Sequence, residues 1–124
     1  AYDRKSNSFR DFVSTRFNFI DLIQGAVHVH EASHYDQQWQ QIVNIVIVPH
    51  PTIKQSKAIE MDYNMTDGML SIQLRAAVAA YVLRQWQVDC SVEQTQNHHR
   101  CQLALANLDV LQLIDNISLA PGAG

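Results

Sequence analysis

Cysteine is nearly absent from this chain. The two present, Cys90 and Cys101, flank a polar stretch and are too few for a disulfide scaffold; in a cytosolic setting they are expected to be reduced thiols. No apolar run approaches the roughly 18 residues needed to cross a bilayer, and no charged n-region with an apolar h-region opens the chain. The expectation is a soluble, cytoplasmic protein with no membrane partner. A G-x-S-x-G elbow, a Walker loop and a paired metal motif are all missing, so no catalytic residue, metal or cofactor is assigned and an enzyme is not expected. Basic charge is scarce too: nine Lys and Arg stand against twelve Asp and Glu, for a net charge of −3. A duplex-DNA surface needs more positive charge than that. The chain also opens at Ala1-Tyr2-Asp3 without Met, which fits removal of an initiator or a fragment cut from something longer.

What is present suffices for one ordinary core: 124 residues, 47% hydrophobic and 17% charged. A second full domain does not fit easily. The charge is uneven, because residues 1–16 hold Arg4, Lys5, Arg10 and Arg16 against only Asp3 and Asp11, while the remainder is acidic. An anionic ligand is therefore drawn to the N-terminal end. The stretch Phe9-Arg10-Asp11-Phe12-Val13-Ser14-Thr15-Arg16 interleaves that charge with rings. As a strand it places Arg10, Phe12, Ser14 and Arg16 on one face, a cationic, aromatic strip able to pair phosphates and stack a base. As a helix, Phe9, Phe12, Val13, Arg16, Phe17 and Ile20 form an amphipathic stripe, and the arginines merely edge a core.

Further along, the apolar stretch from Phe17 meets Gly25, which reads as a turn. His28, His30 and His34 follow; with Glu31 they are a weak metal candidate and better read as solvent-facing or hydrogen-bonded, as are His98 and His99. Ile42-Val43-Asn44-Ile45-Val46-Ile47-Val48 is the clearest strand, β-branched and apolar on both faces, hence central in its sheet, and stopped by Pro49-His50-Pro51. Thr52 reads as the N-cap of a helix over Ile53 to Met61, ahead of a turn at Asn64-Met65-Thr66-Asp67-Gly68. Met69 to Arg75 alternates as a half-buried strand. Ala76 to Trp86 reads as a helix. Residues 89–100 read as loop, Cys101 to Asn107 as a strand (with a helix over Leu103 to Ile114 as the alternative), and the tail Ala120-Pro121-Gly122-Ala123-Gly124 as frayed. The order implies a small α/β or α+β layer with helices on one face of a sheet.

Several motifs then act together. Ala1-Tyr2-Asp3-Arg4-Lys5, Phe9-Arg10-Asp11-Phe12-Val13 and Arg16 resemble the second half of a WYL domain, the ligand-sensing module of many bacterial transcription regulators. Ile45-Val46-Ile47-Val48-Pro49-His50-Pro51, Ala58-Ile59-Glu60-Met61-Asp62-Tyr63-Asn64-Met65, Leu74-Arg75-Ala76-Ala77, Tyr81-Val82-Leu83-Arg84 and Leu103-Ala104-Leu105-Ala106-Asn107 resemble the C-terminal extension of the branch that includes phage-defence repressors. The resemblance implies residues 1–24 as the last strands of a WYL Sm-like β-barrel and residues 25–124 as a mixed α/β dimerisation extension. It also implies a homodimer, a strand from Phe9 to about Thr15, and promoter DNA bound only through an N-terminal winged helix-turn-helix outside this chain. By carry-over, Arg10, Phe12 and Arg16, with Arg4, look like positions that contact a nucleic-acid fragment or nucleotide effector. Val13-Ser14 departs from the more basic version of this strand. The rival reading is a purely structural dimerisation domain whose arginines pair internally with Asp3, Asp11 or Asp21. Tyr63, Tyr81 and Trp86 are candidates for the dimer interface, with plain core as their alternative.

Overall fold

The cationic strip forms less strand than its alternation suggests. In the computed structural model, which describes residues 1–95 and 100–124, β1 (Tyr2–Asp3) and β2 (Ser8–Phe9) pair as a short antiparallel hairpin. Reciprocal bonds between Ala1 and Arg10 extend it by one pair, the N-terminal amine donating to Arg10 O at 2.9 Å and Arg10 N–H to Ala1 O at 2.8 Å. The expected strand to about Thr15 is not formed. No partner strand lies beyond Arg10, and Ser14–Arg16 closes instead into a 3₁₀ turn. From Asp11 to His30 every residue is exposed. Gly25 marks a bend at φ +135°, and further 3₁₀ turns cover Val29–Glu31 and Ser33–Tyr35.

Regular structure resumes at α1 (Gln37–Gln40), capped where Asp36 Oδ1 accepts the Trp39 N–H at 3.2 Å. Then follow β3 (Ile42–Pro49), α2 (Ser56–Asp62), β4 (Leu70–Arg75), α3 (Ala76–Gln85), β5 (Val88–Asp89) and β6 (Leu103–Leu105). A 3₁₀ segment over Leu108–Leu113 comes next, so the two readings of this region divide it between them. The sheet order is β4-β3-β6-β5, with β3 antiparallel to both neighbours and β5 parallel to β6. The β-branched run is thus interior, as its composition requires. Among the described residues there is no closed barrel; the fold is α+β.

One sheet face carries the core. Val43, Ile45 and Ile47 of β3 pack with Ile59 of α2, with Ala79, Ala80 and Leu83 of α3, and with Leu103, Leu105, Val110 and Ile114. On the opposite face Ile42 and Asn44 are exposed, and Val46 and Val48 half-buried. Alanines at 76, 79 and 80 let the first turns of α3 approach the sheet closely, and Leu83 fills the space further along the helix. The hairpin turn into β4 has Asp67 at φ 53° and Gly68 at φ 74°, the two left-handed residues that a tight type I′ turn demands.

Three further sequence expectations are corrected. Thr52 does not cap α2, which starts at Ser56 after Gln55; the Thr52 hydroxyl is engaged by His50 instead. The loop expected over residues 89–100 starts a residue late, since Asp89 joins Val88 in a fully buried edge strand too short to carry a period. The tail is docked rather than frayed: Ala120 is buried, and the Cys90 N–H donates to Pro121 O at 2.8 Å. His98 and His99 lie outside the described residues.

Candidate functional site

The N-terminal cations are largely spoken for. Arg4 makes a two-pronged bond to Glu31, Nε to Oε1 at 2.7 Å and Nη2 to Oε2 at 2.9 Å, pinning the hairpin to the second 3₁₀ turn. That bond holds the Glu31 carboxyl below its ordinary range and raises Arg4. Arg10 Nη1 lies 3.4 Å from Asp3 Oδ2. The Asp3 carboxyl is lowered first by the Ser6 hydroxyl and then by the Lys5 N–H and Arg10. Arg16, exposed at the end of its 3₁₀ turn, has no side-chain hydrogen bond or ion pair among the described residues. Phe12 is half-exposed, with its ring 6.4 Å from that of Phe17. Arg4, Arg10 and Arg16 therefore do not converge on one anion site: two are neutralised locally and the third stands apart.

Arg10 also lines the better-formed cleft, of about 430 Å³, between the hairpin, α1 and the chain near Asn116. Its walls include Phe9, Tyr35, Asp11, Asp36 and Asp115, so carboxylates outnumber the single guanidinium. Asp11 is itself a tether. Its Oδ2 accepts from the Tyr81 hydroxyl and from Asn116 Nδ2, each at 3.2 Å, and burial followed by this carboxylate raises the Tyr81 hydroxyl.

Of the three aromatic candidates, Tyr63 and Trp86 meet at 6.0 Å between ring centroids, Trp86 partly open to solvent, while Tyr81 projects from α3 onto Asp11. The histidines serve packing: His28 and His30 stack at 5.7 Å, and His30 meets Tyr2 edge-on at 5.3 Å. Among the described residues no three His, Cys, Asp or Glu side chains are arranged to hold a metal. No helix among those residues is long and apolar enough to cross a membrane.

Residues 42–111, more than half of the chain and all of the main sheet, match the family described as the BrxR transcriptional regulator, C-terminal dimerization domain. The chain belongs to this family. It is also similar to DNA-binding transcriptional repressors named CapW: 33% identical over 115 residues to that of Pseudomonas aeruginosa, covering 90% of this chain and 37% of the repressor. To that of Escherichia coli strain KTE188 it is 32% identical over 114 residues, covering 88% of this chain and 36% of the repressor. To that of Stenotrophomonas maltophilia it is 33% identical over 78 residues, covering 61% and 25%. The chain thus spans little more than a third of the length of the first two relatives.

Within this BrxR-type domain, sequence reasoning missed one polar cluster. His50 and Asp89, both fully buried, meet Nε2 to Oδ2 at 2.9 Å across the end of β6. The Thr52 N–H points at His50 Nδ1 from 3.3 Å, which makes Nδ1 an acceptor and Nε2 the donor to Asp89. Asp89 Oδ1 accepts from Ser91 N–H at 2.9 Å and Ser91 Oγ at 2.6 Å. The signal that hinted at it is a histidine held between two prolines at the end of a core strand. Cys90 and Cys101 are buried, free thiols; burial, then Asp89 and Cys101, pushes the Cys90 thiol up to about 12.

Proposed function

We propose that this chain is the homodimerisation end of a bacterial transcriptional repressor of the CapW and BrxR kind, acting in the cytoplasm without catalytic activity. On this reading residues 1–24 are the end of a preceding WYL sensing domain, and promoter DNA is engaged by a winged helix-turn-helix further upstream. Genes of phage defence are the target that the resemblance favours.

The observation that carries the reading is the uncovered apolar arm. Phe19, Leu22 and Ile23 are 85%, 91% and 87% exposed, with Phe17, Ile20, Val27 and Val29 also in water. A lone soluble domain rarely leaves such a run bare, so the arm is built to lie against another body, a neighbouring domain or a second copy. Sedimentation of this chain over a range of concentrations tests it, with Leu22→Ser/Ile23→Ser as the control for the arm. A species that stays monomeric at hundreds of micromolar would sink the dimer reading.

For the effector we infer a nucleotide or single-stranded nucleic-acid fragment, with Arg16 and Phe12 as its first contacts and Arg10 recruited from Asp3; Arg4 stays on Glu31. In the full-length repressor, Arg10→Ala/Arg16→Ala should leave dimerisation and basal operator binding intact and abolish the response to short oligonucleotides. An unchanged response would remove the effector assignment. The second reading, a structural domain with no ligand of its own, is favoured by the same two ion pairs, Arg4–Glu31 and Arg10–Asp3. It predicts that unchanged response.

A further inference from the structure

We propose that the outer edge of β4 is the dimer seam: the strand pairs antiparallel with β4 of a second copy and joins two sheets into one. The inference rests on the dimerisation reading above and names the surface that performs it.

The register defines that edge. Val43 faces Leu74, Ile45 faces Ile72 and Ile47 faces Leu70, and the Ala76 N–H donates to Gln41 O at 2.8 Å. That last bond marks a hydrogen-bonded pair, and such pairs alternate along an antiparallel ladder. Leu70, Ile72 and Leu74 therefore spend their backbone groups on β3, while the N–H and C=O of Ser71 and Gln73 point away from it. On the far side of β3 the equivalent groups are closed. Asn107 Oδ1 accepts the Val46 N–H at 2.9 Å, its Nδ2 donates to Asn44 O at 2.7 Å, and the Ala106 N–H donates to Val46 O at 2.8 Å. Among the described residues nothing does this for β4.

The sheet's other edge is no rival. β5 is two residues long, and the tail lies against its end through the Cys90 N–H to Pro121 O bond and through Gly122, where an added Cβ would stand 2.9 Å from Ser91 Cβ. The β4 edge also has none of the usual protection, because it carries no Pro, no Lys and no inward charge. Ser71 and Gln73 are neutral, so a two-fold axis through this strand sets no like charges against each other. Arg75, at its end, is held over the Trp39 ring, 4.7 Å from the centroid.

The core is open on the same side. Val43, Ile45 and Ile47 are sealed, but their β4 partners Leu70, Ile72 and Leu74 are only half-buried. A second β4 would bring its own Ile72 and Leu74 alongside them. The occupant is a second copy because the strand lies inside residues 42–111, the stretch that matches a dimerisation family. One strand pairing with itself is also a self-complementary, closed two-fold contact.

The test uses the 124-residue chain and two variants in sedimentation equilibrium, with circular dichroism as the fold check. Gln73→Pro removes an N–H that points outward, a change edge strands accept, and Gln73→Lys sets two charges face to face at the axis. Each is expected to raise the dimer dissociation constant at least tenfold with the spectrum unchanged. If the parent chain dimerises and Gln73→Lys dimerises equally well, the seam is elsewhere and the dimer reading survives. A parent chain that never dimerises overturns both. Should Gln73→Pro fail to fold, Gln73→Lys alone decides, since the Gln73 side chain is exposed.

Discussion

Replacing His50 with Leu should be among the most damaging single changes in the domain. The two side chains are 0% exposed, and the Nε2–Oδ2 bond of 2.9 Å ties the end of β3 to β5 across β6. Leu roughly fills the imidazole volume, so the cost is mostly electrostatic: a carboxylate stays buried after losing the side-chain donor to its Oδ2. Leaving a buried acceptor short of a donor costs about 1–3 kcal/mol, and more when the acceptor is charged. The two bonds that Ser91 gives Asp89 Oδ1 survive the change, which keeps the cost at about 3 kcal/mol. With a urea slope of about 2 kcal/mol/M for a domain of this size, the midpoint should fall by about 1.5 M. Trp39 and Trp86, both partly exposed, supply the fluorescence signal. A fall below about 0.5 M would put the bond on a par with an exposed ion pair and refute the reasoning.

Gly122→Ala should destabilise by about 1–2 kcal/mol, because the site is left-handed at φ +76° and the new methyl would stand 2.9 Å from Ser91 Cβ; thermal melts would read it, and no loss would mean the tail is not docked. Cys90 should resist a disulfide reagent at pH 8 in the folded protein and react fully in urea, since its thiol titrates at about 12 and is buried. The Arg4–Glu31 clasp should open in acid. The Glu31 carboxyl is lowered by Arg4, so the clasp is at full strength above the unfolded value of 4.5 and is lost as pH falls through the folded value; a Tyr2 ring-proton titration that moves with Glu31 would register it.

The sheet was legible where composition leaves one answer. The run from Ile42 to Val48 could only be an interior strand, and the alternation from Met69 to Arg75 only a half-buried one. Asp67-Gly68 announced the tight turn between α2 and β4. What escaped detection had no period or no local partner. β5 is two residues long, below any window that could reveal alternation. The His50–Asp89 bond joins residues 39 apart, and Pro49-His50-Pro51 read as a strand stop rather than as one half of a buried pair. Thr52 looked like a cap because it precedes an apolar stretch; its hydroxyl instead lies 2.7 Å from His50 Nδ1. The tail read as frayed because nothing in Pro121-Gly122 reveals that Cys90, far back in the chain, needs a carbonyl.

At the N-terminal strip the count of cations overstated the charge on offer to a phosphate. Glu31 lies 27 residues from Arg4, and only the folded arm brings them together. Yet the two local pairs differ in kind. The Arg4 fork is short and two-pronged, whereas Arg10 reaches Asp3 with one nitrogen at 3.4 Å and remains largely in solvent. An exposed single contact of that sort is worth little, and less than a charge-assisted bond to a phosphate oxygen. Asp3 therefore occupies Arg10 without disabling it. If the effector proposed above meets Arg16 and the Phe12 ring first, the Arg10–Asp3 contact is the one it would have to exchange, while the Arg4–Glu31 fork would hold the hairpin in place.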